Sequence, residues 1–228
     1  MPNQLKAGAI LTYVTLFLNS AIGLIYTPFL TLKLGQAEYG LYSLVASVVG
    51  SLTVLDFGFG NALIRYTAKL RAEKKDQKLK EMYGMFFIIF CGIALLALII
   101  GMVVYFNTEN IFYQNMTGEE LRKMKIMLLL MIFNLCFTFV MSVYRSIIVA
   151  YERFIFQKVI NLIRIVLNPL VMVIFLLFGY KVLTMVVLQP IFNVLPLLAD
   201  YYYCKGKLHR RYPDLPDLQR RKAHRRSG

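Results

Sequence analysis

Long uninterrupted blocks of apolar residues constrain this chain more than any other feature of its sequence. Six such blocks occupy residues 7–31, 41–64, 82–106, 126–149, 159–178 and 182–204. A block of about 18 or more apolar residues is typical of a membrane span, since a helix rises about 1.5 Å per residue and the hydrocarbon core is about 30 Å thick. Backbone groups in lipid must hydrogen-bond within their own segment, which favours helices. We therefore predict an all-α polytopic membrane protein with six transmembrane helices within residues 1–208.

The basic residues are distributed unevenly between the two sides of this topology. Of the 26 lysines and arginines, 20 lie in the N-terminal segment, the connections at 65–80 and 145–158, and the segment after residue 204. Positively charged loops remain cytoplasmic, so both termini are predicted inside, with residues 209–228 as a basic cytoplasmic tail. Attraction to the anionic inner leaflet explains the net charge of +14, and we expect no nucleic-acid partner.

Four ionisable side chains lie in or at the edge of the predicted spans, in the half nearest the cytoplasm: Asp56, Arg65, Arg145 and Arg164. An Arg or Asp at the centre of a span costs about 2.5–3.5 kcal/mol, so such groups face a bundle interior or water. We predict that the three arginines line a cationic cavity for an anionic substrate head group. Asp56 is then a gate, an ion-coupling site or their counter-ion. In the alternative, Arg65 and Arg145 extend to the interface, and Asp56 pairs with Arg164.

Small and polar residues within the spans suggest where helices bend or approach one another. Gly58 and Gly60 permit close helix approach or local unwinding beside Asp56, and Pro28 and Pro169 bend their helices. Asparagine side chains are expected to hydrogen-bond between helices; they are Asn19, Asn134, Asn161, Asn168 and Asn193. Outside the spans, Thr117 and Glu120 have the spacing of a capping box that opens the fourth helix.

The sequence offers little for enzyme chemistry. Both histidines, His209 and His224, lie in the predicted tail, and the three cysteines fall in separate apolar blocks without metal or disulfide spacing. We therefore expect no catalytic residue, no metal and no cofactor.

Three motifs in the first 80 residues carry a family resemblance. They are Leu-Gly-x-x-Glu-Tyr-Gly-Leu-Tyr at residues 34–42, Asp-Phe-Gly-x-Gly-Asn at residues 56–61, and Arg65-Tyr66 before a basic loop. In this order they closely resemble the start of bacterial polysaccharide flippases. These are the O-antigen (lipopolysaccharide) and capsule repeat-unit translocases of the multidrug/oligosaccharidyl-lipid/polysaccharide exporter superfamily. The resemblance is strong to about Lys80 and continues as topology to about Lys207.

The resemblance implies a multi-pass protein of the bacterial inner (plasma) membrane. Such a protein moves undecaprenyl-pyrophosphate-linked oligosaccharide repeat units from the inner to the outer leaflet, often coupled to an ion gradient. Its expected partners are that lipid-linked oligosaccharide, the bilayer and the polysaccharide polymerase machinery. A cationic cavity suits the pyrophosphate.

The chain departs from this family in length, since the resemblance implies 12–14 helices and six are predicted here. One hypothesis is a truncated N-terminal lobe with an out-of-frame tail that starts near His209. The competing hypothesis is a half-size protein that pairs with a second copy or with the missing second half. Two other functions stay open: a multidrug-type exporter of the same superfamily, and a non-transporting membrane scaffold of the polysaccharide machinery.

Overall fold

The fold is entirely helical in a computed structural model that describes residues 2–112 and 116–208, with side chains for 9–206 except 113–115 and 154. Its elements are α1 (Pro2–Leu52), a 3₁₀ helix (Thr53–Asp56), α2 (Phe59–Ala72), α3 (Asp76–Phe112), α4 (Gly118–Ala150), α5 (Phe154–Leu177), α6 (Val182–Tyr203) and a π-helical turn (Cys204–Leu208). None of the described residues forms a strand. The prediction of an all-α protein is confirmed.

Five helical stretches are long and apolar enough to cross a membrane: Ala9–Ala72, Asp76–Phe112, Gly118–Ala150, Ile155–Leu177 and Val182–Gly206. This confirms the prediction of a polytopic membrane protein. The first stretch has 64 residues, about three times what one span requires. Within it, Gly35 leaves the helical conformation at φ 80° and ψ 162°. Glycine suits this position because it has no Cβ to clash at positive φ.

A second break interrupts the helix within the predicted span 41–64, beside Asp56, where Gly58 and Gly60 are expected to permit local unwinding. The chain passes from α1 into the 3₁₀ helix, and then Phe57 (φ 44°) and Gly58 (φ 75°) both adopt the left-handed conformation before α2 begins. Gly58 permits this turn, and the Asp56 carboxylate interacts with the backbone N–H of Gly60 near the start of α2. The Asp-Phe-Gly-x-Gly motif therefore interrupts the helix, although its hydropathy alone predicts a continuous span.

Helix α4 is the central element, since it packs against α1, α2, α3 and α6. One of its faces contributes fully buried Met124, Met127 and Leu128, and residues further along it pack with Tyr83 and Phe90 of α3. The predicted capping box is confirmed at the start of this helix, ahead of the membrane span predicted from 126: Glu120 N–H donates to Thr117 Oγ1, and the Glu120 carboxylate accepts from Thr117 N–H at 2.8 Å. Helix α3 likewise extends beyond the predicted 82–106.

Glu38 links three helices at the end of the bundle that contains Gly35. Its carboxylate accepts a hydrogen bond from Lys123 Nζ of α4 at 3.1 Å and from the backbone N–H of Val182, the first residue of α6, at 3.4 Å. Nearby, the Tyr42 hydroxyl bonds to Gln189 Oε1 of α6 at 3.1 Å. The motif at residues 34–42 thus supplies polar contacts that hold this end of the bundle closed.

Arg71 performs a related role at the opposite end. Its Nη1 donates to the carbonyl oxygen of Ala150 at 2.9 Å, and its guanidinium lies 3.9 Å from the centroid of the Tyr151 ring. A cation at the last carbonyls of a helix is stabilising because those carbonyls carry partial negative charge. Arg71 thereby fixes α2 to the end of α4, close to Arg145.

We predict that Glu38→Ala lowers the free energy of unfolding by about 1–2 kcal/mol, because it removes one charge-assisted and one backbone hydrogen bond. Unfolding in mixed detergent micelles, followed by circular dichroism, measures the change. Glu119→Ala, at an exposed position at the start of α4, is the matched control. Equal stability of the two variants would contradict the prediction.

Gly101 is predicted to be essential to the packing of α3 on α4. A Cβ at this position would lie 2.6 Å from Ile132 Cδ1 and 3.0 Å from Ile132 Cγ2, whereas a Cβ at Gly92 of the same helix meets nothing within 4 Å. Gly101→Ala should therefore lower the free energy of unfolding by about 1–3 kcal/mol in the same assay. Gly92→Ala should leave the free energy of unfolding unchanged. In a double-mutant cycle, Gly101→Ala should lower the free energy of unfolding less in an Ile132→Ala background than in the wild type; an equal loss in both backgrounds would exclude this clash as the cause.

Candidate functional site

Polar side chains recur at helical spacing inside the apolar helices. On α4 they are Asn134, Thr138, Ser142 and Arg145; on α5 they are Gln157, Asn161, Arg164 and Asn168; on α6 they are Gln189, Asn193 and Asp200. Intervals of three, four, seven and eleven residues place side chains on one face of a helix. Each of these helices therefore has a polar stripe, and the fold brings the stripes together.

The stripes meet in a small central cavity of about 30 Å³, which has room for about one water molecule. Its polar lining consists of Thr138, Arg145, Gln157, Asn161, Arg164, Asn193 and Asp200. Hydrogen bonds organise the surrounding helices: Asn193 Nδ2 donates to Asn134 Oδ1 at 2.9 Å and to Thr138 Oγ1 at 2.6 Å, and Gln157 Nε2 donates to the Arg145 carbonyl oxygen at 2.7 Å. These bonds confirm the predicted asparagine contact between helices for one pair.

Two larger cavities flank the central one and share side chains with it. The α1–α5 cavity, of about 460 Å³, shares Asn161 and Arg164 with the central cavity. The α2–α4 cavity, of about 400 Å³, shares Thr138 and Arg145. We call the three together the polar cleft. The two arginines therefore stand at its centre, one at the boundary of each large cavity.

The charges of the cleft are of both signs. Arg145 is exposed, Arg164 is half-buried, and Asp200 is only 5% exposed. Arg145 is close enough to Arg164 and Asp200 to interact electrostatically with both. Among the described residues, none of the three forms an ion pair within 4 Å, and Asp200 Oδ1 has no hydrogen-bond partner. Two like charges are thus held near one another, with one buried carboxylate behind them.

The predicted site residues separate into those that reach the cleft and those that do not. Arg145 and Arg164 line the central cavity, and Asp56 lines the α2–α4 cavity together with Arg145. Arg65 is exposed on α2 and lines none of the three cavities, although its neighbours Asn61 and Ile64 on the same helix line the α2–α4 cavity. Asp56 and Arg164 form no ion pair within 4 Å.

The four predicted hinge or close-approach positions also differ in their surroundings. Gly58 is the left-handed residue before α2, and Gly60 lines the α2–α4 cavity, where an added Cβ would lie 3.4 Å from Ser146 Oγ. Pro169 lies inside α5 and lines the α1–α5 cavity, whereas Pro28 lies inside α1 and lines none of the three cavities. The flexibility predicted at these positions stays a prediction.

Asp200 is the residue that sequence reasoning missed. It lies near the end of the sixth apolar block, where a single carboxylate hardly changes the hydropathy of a 23-residue window. The available signal was its place in a stripe with Gln189 and Asn193, at intervals of four and seven residues. Gln157 was missed for a similar reason, since it precedes the predicted start of its helix at 159.

The family comparison agrees with this architecture. A family model described as "Polysaccharide biosynthesis protein" matches residues 5–223, nearly the whole chain. The chain belongs to this family. As a polysaccharide biosynthesis protein with several helices able to span a membrane, it is a multi-pass membrane protein. A search of curated proteins and a search of solved structures each found no significant match. The predicted tail boundary at His209 lies outside the described residues.

Removing the amide of Asn193 should weaken the contact between α4 and α6. We expect Asn193→Ala to lower the free energy of unfolding by about 0.6–1.7 kcal/mol, the range measured for hydrogen bonds between membrane helices. A double-mutant cycle with Asn134→Ala in detergent measures the coupling. Asn110→Ala, at an exposed position near the end of α3, serves as control. Additive effects of Asn193→Ala and Asn134→Ala would contradict a direct interaction.

Proposed function

We propose that this polysaccharide biosynthesis protein translocates undecaprenyl-pyrophosphate-linked oligosaccharide from the cytoplasmic to the outer leaflet of the bacterial inner membrane. It acts as a flippase lobe, not as an enzyme. The family match and the resemblance of residues 34–66 to polysaccharide flippases support this proposal. The substrate class is the one that the resemblance implies, the cationic residues of the polar cleft suit its diphosphate, and the oligosaccharide itself is left open.

The arrangement of Arg145 and Arg164 is the observation that carries the proposal. Arg145 and Arg164 line one central cavity together with Asp200, and neither arginine has a carboxylate oxygen within 4 Å in the described part of the chain. Like charges held near one another in a partly dry site are unfavourable, and a bound anion relieves the repulsion. A pyrophosphate is larger than the central cavity, so we propose that it binds in one of the two larger cavities bordered by the arginines and widens the central cavity to accept hydrogen bonds from both.

The proposed topology has six spans and cytoplasmic termini. Gly35 divides the stretch Ala9–Ala72 into two spans, and the uneven distribution of basic residues orients the bundle. Arg145 then lies in the cytoplasmic half, five residues from the end of α4. At the other end, the buried cluster of Leu30, Met172, Leu176 and Met185 packs α1, α5 and α6 together above the polar cleft. The cleft would therefore admit its substrate from the cytoplasmic side.

The remaining partners follow from the same proposal. A transporter that alternates access needs a second lobe, supplied by the missing half or by a second copy of this chain. Exposed Leu16, Phe17 and Leu24 of α1 provide an apolar surface for the bilayer or for that lobe. Asp56 would act as a gate or as an ion-coupling site in the α2–α4 cavity.

Binding in nanodiscs tests the head-group site without requiring a second lobe. The probe is farnesyl diphosphate, displaced from the chain by inorganic pyrophosphate. We predict that Arg145→Ala and Arg164→Ala each weaken binding about 10- to 100-fold, because each removes a charge-assisted contact of about 1.5–3 kcal/mol. Arg122→Ala, at an exposed position near the other end of α4, should leave binding unchanged.

Transport is then measured in proteoliposomes with a fluorescent undecaprenyl diphosphate lipid and a membrane-impermeant quencher. Loss of binding and of translocation in both arginine variants, but not in Arg122→Ala, supports the flippase. Normal translocation in Arg145→Ala/Arg164→Ala would refute the cationic site. Binding of hydrophobic cations in place of diphosphates would favour a multidrug-type exporter, and membrane insertion without binding of either class would favour a scaffold.

A further inference from the structure

We infer that the α1–α5 cavity is a saccharide-binding subsite, which receives the sugar attached to the pyrophosphate held by Arg145 and Arg164. This inference rests on the proposed function and extends it from the head group to the sugar. The cavity measures about 460 Å³, within the range of about 300–1,000 Å³ that is usual for ligand sites.

Apart from Arg164, the lining of this cavity is uncharged, and it is rich in hydrogen-bonding groups. Asn19 of α1 and Asn161 and Asn168 of α5 contribute three side-chain amides, and Thr15 and Tyr26 add hydroxyl groups. Each amide offers two donors and one acceptor oxygen, which matches the donor and acceptor capacity of sugar hydroxyls. Arg164 is the one charged side chain in this lining, and it stands at the boundary with the central cavity.

An unsatisfied acceptor also points to a polar ligand. Asn168 Oδ1 is buried and has no hydrogen-bond partner in the part of the chain that the structure describes. A buried amide oxygen without a partner costs about 1–3 kcal/mol. Asn168 lines the cavity, and rotation of its amide would bring this oxygen within reach of a sugar hydroxyl, which can donate to it, whereas a lipid tail has no donor.

The α1–α5 cavity adjoins the arginines, as expected if it binds the sugar that is covalently attached to the diphosphate. Asn161 and Arg164 line both the α1–α5 cavity and the central cavity, so a ligand in the α1–α5 cavity can contact the amides and Arg164 at the same time. On α5, Arg164 and Asn168 are one turn apart, about 6 Å along the helix axis. The apolar cluster around Leu30 and Met172 then closes the far end of the bundle.

The experiment compares two probes that differ only in the sugar: farnesyl diphosphate and farnesyl diphosphate linked to chitobiose. Affinities are measured by fluorescence-anisotropy competition with the purified chain in nanodiscs. Wild-type protein should bind the sugar-bearing probe about tenfold more tightly, as expected for two or three neutral hydrogen bonds. Asn168→Leu and Asn19→Leu should abolish this difference and leave the affinity for farnesyl diphosphate unchanged.

Matched control variants distinguish a specific loss of sugar binding from a general loss of folding or binding. Asn110→Leu, outside the polar cleft, should retain the preference for the sugar. Asn19 is exposed on α1, so Asn19→Leu tests the lining without disturbing buried packing, and thermal unfolding verifies that each variant is folded. Equal affinity of the wild-type protein for both probes, or an undiminished preference in both variants, would overturn the inference.

A different result is expected if the proposed function is wrong and the protein does not bind diphosphates. If farnesyl diphosphate does not bind, the arginine site is refuted. Binding of free chitobiose, measured by saturation-transfer NMR, then tests the saccharide subsite by itself. Signal from chitobiose that disappears in Asn168→Leu would uphold a saccharide site independent of the diphosphate. Absence of that signal in the wild-type protein would overturn the subsite as well.

Discussion

Hydrocarbon offers no hydrogen-bond partner to a polar group, and the rest of this structure depends on that constraint. Backbone N–H and C=O groups in the spans must bond along their own helix, so the chain is helical through most of its described length. The same constraint acts on Arg145, Arg164 and Asp200, which cannot face lipid without a large desolvation cost. They face one another across the central cavity instead. The cleft is the consequence of excluding these groups from lipid.

Helix α4 has one apolar face that packs in the core and one polar face that lines the cleft. One face carries Met124, Met127 and Leu128 into an apolar core, where close packing holds α1, α3 and α6 in place. Another carries the stripe that ends at Arg145 and bonds to α6 through Asn193. Because the core sets the rotation of the helix about its axis, it also determines where the guanidinium of Arg145 lies. Stability and binding therefore share one element.

Polar and apolar contacts at one end of the bundle, together with the arrangement of groups inside the cleft, give the proposed site a direction. Glu38, Lys123 and the N–H of Val182 join three helices at one end, and the apolar cluster around Leu30 lies between them and the cleft. Within the cleft, charged and neutral regions are separated: the arginines stand at the centre, and the amides of Asn19 and Asn168 line the α1–α5 cavity. A diphosphate joined to a sugar is arranged in the same way: its charged diphosphate would lie at the arginines, and its neutral hydroxyl groups would lie at the amides.

Hydropathy is a local property, so the sequence by itself determined the all-α membrane fold, the capping box of Thr117 and Glu120, and the presence of arginines within the spans. It could not decide which ionisable groups meet, because that depends on how each helix is rotated and where each helix breaks. Helix α2 packs against α4 with Asn61 and Ile64 in the lining of the α2–α4 cavity, which leaves Arg65 exposed and outside that lining. The packing of α6 on α4 brings Asp200, inconspicuous in its apolar block, beside Arg145. Only the tertiary structure decided these two points, since both arise from contacts between residues far apart in the chain.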